Sequence, residues 1–129
     1  DSVHEARGRA PGALVIGAPA VPLLAMLAGS SFELVLSSGF LIHQGPDDLG
    51  AVIDQMVRVC RRYVLAIEYY APIETPVLYH GQPAALWKRD YGRIIAERRP
   101  ELRLLEQGPL MKADGWDDCT YWLFEKENT

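Results

Sequence analysis

The chain has 129 residues, 49% of them hydrophobic and 23% charged, which suits one folded domain and argues against disorder. Its net charge is −4, and no long run of Lys and Arg marks a phosphate-binding surface, so no nucleic-acid partner is expected. The two cysteines, Cys60 and Cys119, form no CxxC pair, so neither a metal framework nor a disulfide scaffold is predicted. A reducing, cytoplasmic location suits this use of cysteine.

The most apolar stretch of the chain, residues 13–28, does not predict a membrane span. Gly17, Pro19 and Pro22 interrupt it, whereas a spanning helix needs about 20 predominantly apolar residues in a row. No signal peptide is recognised either. Since the sequence begins at Asp1 without an initiating Met, we expect it to be part of something longer.

The first predicted elements are the end of a helix and two buried strands. Ser2–Arg9 is polar and short, and we expect it to be the end of a helix. Ala13–Gly17 (ALVIG) and Phe32–Ser37 (FELVLS) are short apolar runs of the kind that form buried strands. Their nearly continuous apolar character indicates parallel strands that are covered on both faces.

Asp47–Arg62 carries the clearest helical pattern. One apolar stripe recurs at spacings of three and four residues: Leu49, Val52, Ile53, Met56, Val57 and Cys60. Pro46 and the two aspartates after it favour a helix start, because a missing N–H costs nothing there and carboxylates suit the positive dipole end. Arg61 and Arg62 suit the other end of the helix.

Tyr63–Tyr69 (YVLAIEY) is predicted to be the next strand, since it is rich in aromatic and apolar residues. A connection of twenty residues follows, Tyr70–Arg89, which contains several prolines and which we interpret as a lid or binding loop. Asp90 is the expected cap of a helix that runs to about Arg99, just before a proline.

The chain ends in two further predicted strands, Leu102–Gln107 and Thr120–Lys126, which are expected to form a terminal antiparallel hairpin. Strands alternate with helices before that point. Such alternation indicates right-handed βαβ units and a mainly parallel sheet. The sequence therefore predicts an α/β fold.

Four segments resemble one family of enzymes. Phe32–Val59 resembles the fourth strand, the following loop and the next helix of class I S-adenosylmethionine-dependent methyltransferases. The segments YVLAIEYYAP, YHGQPAALWKRDYG and DDCTYWLFEK narrow the match to the pseudaminic acid biosynthesis-associated methylase family, which this chain resembles over residues 2–126. The resemblance implies a Rossmann-like sheet, the cofactor S-adenosyl-L-methionine, and a small-molecule acceptor such as a bacterial surface-sugar precursor.

The resemblance also implies that residues 1–129 are the C-terminal portion of one methyltransferase domain. The family's first strands and its glycine-rich cofactor loop have no counterpart in this sequence. Those strands would separate Ala13–Gly17 from Phe32–Ser37, so we expect Phe32–Ser37 to be an exposed apolar edge. We then expect the chain alone to be unstable or prone to aggregation, unless it pairs with another chain, for example in a homo-oligomer.

The predicted cofactor contacts are Ser37, Ser38 and Gly39, at the carboxyl end of a parallel strand where open α/β sheets bind ligands. The alternative is a plain strand-to-loop turn. His43 and Glu68 are the candidate catalytic residues, because an imidazole or a carboxylate can remove the acceptor's proton. For His43, a structural hydrogen bond is the competing interpretation.

The predicted acceptor contacts are Tyr69 and Tyr70 at the end of a strand, four residues of the long connection (Tyr79, His80, Lys88 and Arg89), and Asp118 before the last strand. Lys88 and Arg89 would bind a phosphate or carboxylate of the acceptor. Alternatively, Asp90 caps a helix and Arg89 pairs with it. Paired aspartates before the last strand could bind a metal, but no histidine accompanies them, so no metal is predicted. The competing function is a non-catalytic, methyltransferase-like module that pairs with a partner chain.

Overall fold

The computed structural model of the chain describes residues 20–79, 82–111 and 118–127. In chain order its elements are helix α1 (Ala20–Ala25), strand β1 (Phe32–Ser38), a 3₁₀ helix (Leu41–His43), helix α2 (Leu49–Val59), strands β2 (Cys60–Glu68), β3 (Thr75–Tyr79) and β4 (Gln82–Lys88), helix α3 (Tyr91–Arg98), and strands β5 (Leu102–Leu110) and β6 (Cys119–Lys126).

Four of these strands form one sheet in the order β1-β2-β6-β5. β1 pairs in parallel with β2, and β6 runs antiparallel to both β2 and β5. A parallel pair needs a crossover connection, which α2 supplies. The predictions of an α/β fold and of a terminal antiparallel hairpin are confirmed. The sheet is not mainly parallel, contrary to the prediction, because one of its pairings among the described strands is parallel and two are antiparallel.

One face of the sheet is buried under α2 and α3. Residues of β2 alternate in burial, so that Val64 and Ala66 are buried with Trp122 and Phe124 of β6. The apolar stripe predicted on α2 packs into the same core cluster. Full burial of one such apolar side chain stabilises the fold by roughly 1.5–3 kcal/mol, so this face dominates the stability of the domain.

The opposite face of the sheet is open at β1. Leu34 is 49% exposed and Leu36 is 56% exposed, although both belong to a strand. Within the described residues β1 has β2 on one side and no strand on the other. The predicted apolar edge is therefore present in the part of the chain that the structure describes. The predicted elements Ser2–Arg9 and Ala13–Gly17 lie outside the described residues.

The predicted end of the second helix at Arg62 is wrong, because α2 ends at Val59 and Cys60 already has extended backbone angles. Its start is also later than predicted, with Asp48 as the cap residue. Pairing with β1 explains the early end, since Cys60 is in register with Phe32 and Arg61 forms an ion pair with Glu33. The last carbonyls of α2 are instead bonded by Lys126, whose Nζ lies 2.9 Å from the oxygen of Val57.

The connection Tyr70–Arg89, which was predicted to be a lid or binding loop, contains the antiparallel hairpin β3–β4. Its prolines suggested a loop. Pro76 nevertheless pairs with Trp87, which a two-stranded sheet permits because each strand has an edge where a missing N–H is harmless. The predicted terminal strand Leu102–Gln107 also extends further, to Leu110. Among the described residues, no helix is long and apolar enough to cross a membrane.

Candidate functional site

The carboxyl ends of β1 and β2 enclose a small cavity. In-register parallel pairing sets Ser37 opposite Ala66 and Ser38 opposite Ile67, so both strands end at the same level. The cavity has a volume of about 150 Å³ and is lined by Ser38, Gly39, Ile42, Ile67, Glu68, Tyr69 and Cys119. Ser38 and Gly39 at the end of β1, and Glu68 and Tyr69 at the end of β2, were all singled out in the sequence and converge on this cavity. Ser37, the third predicted cofactor contact, does not line it.

Gly39 allows the chain to change direction directly after β1, at the mouth of this cavity. Its φ angle is +60°, a conformation that residues with a Cβ adopt at a cost. Space is not the constraint, because no atom lies within 4 Å of the place where a Cβ would sit. The Gly39 N–H donates to the carbonyl of Ile67 at 2.9 Å, which ties the turn to β2.

Glu68 lies at the base of the site with only 1% of its surface exposed. Its Oε1 accepts hydrogen bonds from the backbone N–H groups of Phe40 (2.9 Å) and Ile42 (3.3 Å). The Ser37 hydroxyl is bonded to its other oxygen, Oε2. Burial raises the pKa of the Glu68 carboxyl, although these hydrogen bonds act in the opposite direction. Glu68 thereby connects β2 with the turn that follows β1.

The raised pKa of Glu68 makes the stability of the protein depend on pH in a definite direction. The folded state holds the proton above the ordinary pKa of 4.5, so folding takes up a proton between the unfolded and folded pKa values. The wild type should therefore lose stability relative to Glu68→Gln as the pH rises above 4.5, by at most about 1.4 kcal/mol per pH unit. Urea unfolding of both proteins from pH 4.5 to 8 measures this difference. If the difference in unfolding free energy between the two proteins did not change with pH, the raised pKa of Glu68 would be contradicted.

Arg89 is buried beside the site, with its side chain 0% exposed. Its Nε donates to Glu74 Oε1 at 2.6 Å, and its Nη1 donates to the Tyr91 hydroxyl at 3.0 Å. Further bonds reach the carbonyls of Gln44 at 3.0 Å and Leu41 at 3.4 Å. The alternative in which Arg89 pairs with Asp90 is wrong. Asp90 instead caps α3, where its carboxylate accepts from the backbone N–H of Arg93 at 3.2 Å, as predicted for a helix start.

The base of the β3–β4 hairpin is attached to the end of β2. The Arg89 N–H donates to the carbonyl of Tyr69 at 3.2 Å, and the Ala71 N–H donates to the carbonyl of Arg89 at 3.3 Å. Lys88, the neighbour of Arg89, is exposed, and Tyr70 is 47% exposed. Two predicted acceptor contacts, Tyr70 and Lys88, are therefore accessible at this edge, whereas the guanidinium of Arg89 is enclosed by protein.

The other predicted site residues divide between the site and its surroundings. His43 is exposed on the 3₁₀ helix and does not line the cavity. Asp118 is exposed and directly precedes Cys119, which does line it. Tyr79 ends β3, and its side chain lies outside what the structure describes, as does all of His80.

Three cavity residues were not predicted as site residues: Ile42, Ile67 and Cys119. Of these, Cys119 lies farthest along the chain from the others. It is the first residue of β6, and its place in the wall follows from the pairing of β6 with β2 and β5. That pairing joins segments far apart in the chain, so no local signal marked Cys119. In the described ranges, no group of three His, Cys, Asp or Glu side chains is arranged to hold a metal ion.

Solved structures share this arrangement of helices and strands. One is the 1,6-didemethyltoxoflavin-N1-methyltransferase of Burkholderia thailandensis, determined with bound 1,6-didemethyltoxoflavin and S-adenosylhomocysteine; its TM-score is 0.63 at 14% identity. Another is an S-adenosylmethionine-dependent methyltransferase from Methanosarcina mazei, with a TM-score of 0.58 at 10% identity. The matches cover 81% and 80% of this chain, but only 48% and 63% of those proteins.

The chain therefore spans about half the length of the Burkholderia enzyme. Neither a protein-family model nor a curated protein sequence matches it. At such low sequence identity, the structural similarity supports the fold and does not establish the chemistry of the site. This chain has the mixed α/β fold of part of an S-adenosylmethionine-dependent methyltransferase.

Proposed function

We propose that this protein is a class I methyltransferase with a Rossmann-like sheet, and that the cavity between β1 and β2 holds part of S-adenosyl-L-methionine. The observation that best supports this proposal is that Ser38, Gly39 and Tyr69 line one cavity at the carboxyl ends of two parallel strands. Open α/β sheets bind their ligands at this edge. The structural likeness to two methyltransferases supports the same assignment.

The size of the cavity indicates which part of the cofactor it would take. Pockets that enclose a whole drug-sized ligand measure roughly 300–1,000 Å³. The cavity measures about 150 Å³, so it fits one end of the cofactor. Ser38 offers a hydroxyl there, which suits the polar methionine end, and Ile67 offers an apolar wall. The adenine and ribose would then lie against other parts of the protein.

Bound S-adenosylmethionine supplies a methyl group that is already activated by the sulfonium charge. The task left to the chain is to hold the acceptor in line with that methyl group and to exclude water. His43 is the exposed candidate for removing the acceptor's proton, since it lies on the turn that follows β1. Tyr70, Lys88 and Asp118 are accessible near the carboxyl edge of the sheet and are proposed to bind the acceptor.

The acceptor is proposed to be a small molecule with an anionic group, such as a bacterial surface-sugar precursor of the pseudaminic acid type. The sequence motifs support this class, and the exposed ammonium of Lys88 suits a carboxylate or phosphate. A cytoplasmic location is proposed with it. Neither Cys60 nor Cys119 forms a disulfide within the part of the chain that the structure describes, which accords with a reducing compartment.

Isothermal titration of the 129-residue chain with S-adenosylhomocysteine tests the proposal. We expect a dissociation constant in the micromolar range, about −8 kcal/mol. ATP is the matched control ligand, because it carries the adenosine but not the homocysteine, and it should bind much more weakly. A chain that melts cooperatively but shows no heat with S-adenosylhomocysteine would contradict the proposal.

The exposed edge of β1 supports a second candidate, a non-catalytic module that pairs with a second copy of this chain. Leu34 and Leu36 provide the apolar surface, and the backbone edge of β1 that has no strand beside it among the described residues provides hydrogen bonds. Sedimentation equilibrium distinguishes the candidates when it is combined with the titration. A dimer that binds no S-adenosylhomocysteine favours the module, and a monomer that binds it favours the enzyme.

A further inference from the structure

The turn that follows β1 is held by two buried groups of opposite charge type. This turn, residues 40–44, contributes Ile42 to the cavity wall. On one side of the turn, Glu68 accepts hydrogen bonds from the backbone N–H groups of Phe40 and Ile42. Arg89 donates to carbonyl oxygens of the turn from the other side. Every described bond between these two side chains and the turn goes to backbone atoms, so Glu68 and Arg89 hold the turn by its backbone.

We infer that Glu68 is a positioning residue, which shapes the cofactor cavity by fixing this turn, and that its negative charge is not needed. The inference rests on the proposed function, since it assigns a role to Glu68 within the same cavity. It differs from the prediction that Glu68 is the catalytic base, because a base must give and take a proton during the reaction. A positioning role requires only the length and hydrogen bonds of the side chain.

The geometry around Glu68 permits such a role in either protonation state. Oε1 can accept from Phe40 and Ile42 whether or not the other oxygen carries a proton. The Ser37 hydroxyl can donate to a charged Oε2 or accept from a protonated one, because a hydroxyl rotates to suit. Glutamine can reproduce the protonated pattern, with its carbonyl toward the turn and its amide toward Ser37.

Two substitutions separate position from charge. Glu68→Gln keeps the length of the side chain and removes the charge, whereas Glu68→Asp keeps the charge and shortens the side chain by one methylene. We expect Glu68→Gln to bind S-adenosylhomocysteine as the wild type does, within about twofold. Glu68→Asp should bind at least about tenfold more weakly, because it cannot reach the turn and Ser37 together. Glu33→Gln is the control for a carboxylate at the opposite end of β1 and should bind normally.

Amide hydrogen exchange of Phe40 and Ile42 gives a readout that needs no ligand. We expect these two amides to exchange faster in Glu68→Asp and to stay protected in Glu68→Gln, with the core strand β2 equally protected in both. If the wild type binds no S-adenosylhomocysteine, the proposed function fails, and the exchange pattern still tests the role of Glu68.

Three results would overturn the inference. The first is normal affinity in Glu68→Asp with weakened affinity in Glu68→Gln, which would assign the role to the charge. The second is affinity that is unchanged in both variants, as expected for a base that takes no part in binding. The third is exchange at Phe40 and Ile42 that is the same in Glu68→Asp as in the wild type.

Discussion

Arg89→Leu should lower the free energy of unfolding by about 2–4 kcal/mol, the range expected when one member of a buried polar network is removed. The guanidinium is fully buried and bonds to Glu74, to the Tyr91 hydroxyl and to two backbone carbonyls. Its central carbon also lies 5.1 Å from the centre of the Trp87 ring. Leucine replaces none of these contacts, so the buried acceptors lose their donor.

The loss of stability is smaller than for a buried charge left without a partner, because water can solvate the carboxylate of Glu74. Its side chain is 46% exposed, so its carboxylate is solvated once Arg89 is gone. Arg89→Lys should recover part of the loss, since it restores the charge but not the planar set of donors. Urea unfolding with a common m-value measures both variants.

Lys88→Ala is the matched control, one position earlier on β4. Lys88 is exposed, so its removal should change the free energy of unfolding by no more than about 0.5 kcal/mol. Equal destabilisation by Arg89→Leu and Lys88→Ala would show that the buried network is not what stabilises this region.

Gly92→Ala should destabilise the protein by about 1–3 kcal/mol, although alanine favours a helix over glycine by roughly 1 kcal/mol. Gly92 lies in the first turn of α3, directly against the indole ring of Trp122. A Cβ built at Gly92 would overlap ring atoms Cδ1 and Nε1 of that indole. Trp122 cannot swing away, because it is only 2% exposed and packs against Tyr91 with ring centres 6.3 Å apart. Thermal melting monitored by circular dichroism measures the change.

Gly50→Ala on α2 provides the comparison for Gly92→Ala. A Cβ there would also be crowded, 2.6 Å from the guanidinium of Arg98. That guanidinium ends a flexible side chain that is 45% exposed, so it can move aside at the cost of a surface pair with Asp54. The helix propensity of alanine offsets this cost, and we expect a net change within about 1 kcal/mol. Equal melting temperatures for the two variants would contradict the role of Trp122.

Signals that are local in the chain predicted their elements well. The cap of α3 was predicted from Asp90, because a carboxylate just before an apolar periodic segment bonds the first free N–H groups. The stripe of α2 was predicted from its spacing, and five of the six predicted residues lie on α2 and are buried. The sixth, Cys60, is buried as the first residue of β2. The boundaries were less accurate where a distant partner intervened, as at Val59, where pairing with β1 ends α2 before its own pattern does.

The candidate site was predicted in part, through the topology of parallel strands. Both Ser38 and Tyr69 were expected at the carboxyl edge of the sheet, and both line the cavity. The roles of Glu68 and Arg89 were harder to predict, because burial decides them. A carboxylate and a guanidinium in a sequence resemble contacts for a substrate, whereas in the structure both are buried and hydrogen-bonded to backbone and side-chain groups of the protein.

By itself, the sequence determined the type and order of β1, α2, β2, α3, β5 and β6, since hydrophobic period, caps and apolar runs act within a few residues. It did not determine the hairpin β3–β4, whose prolines favoured a loop. Only the tertiary structure decided which groups meet. Glu68 and Ser37 are 31 positions apart, Arg89 and Leu41 are 48 apart, and Lys126 and Val57 are 69 apart. No local pattern encodes such pairs, because each depends on how the sheet and helices pack and on the burial that this packing imposes.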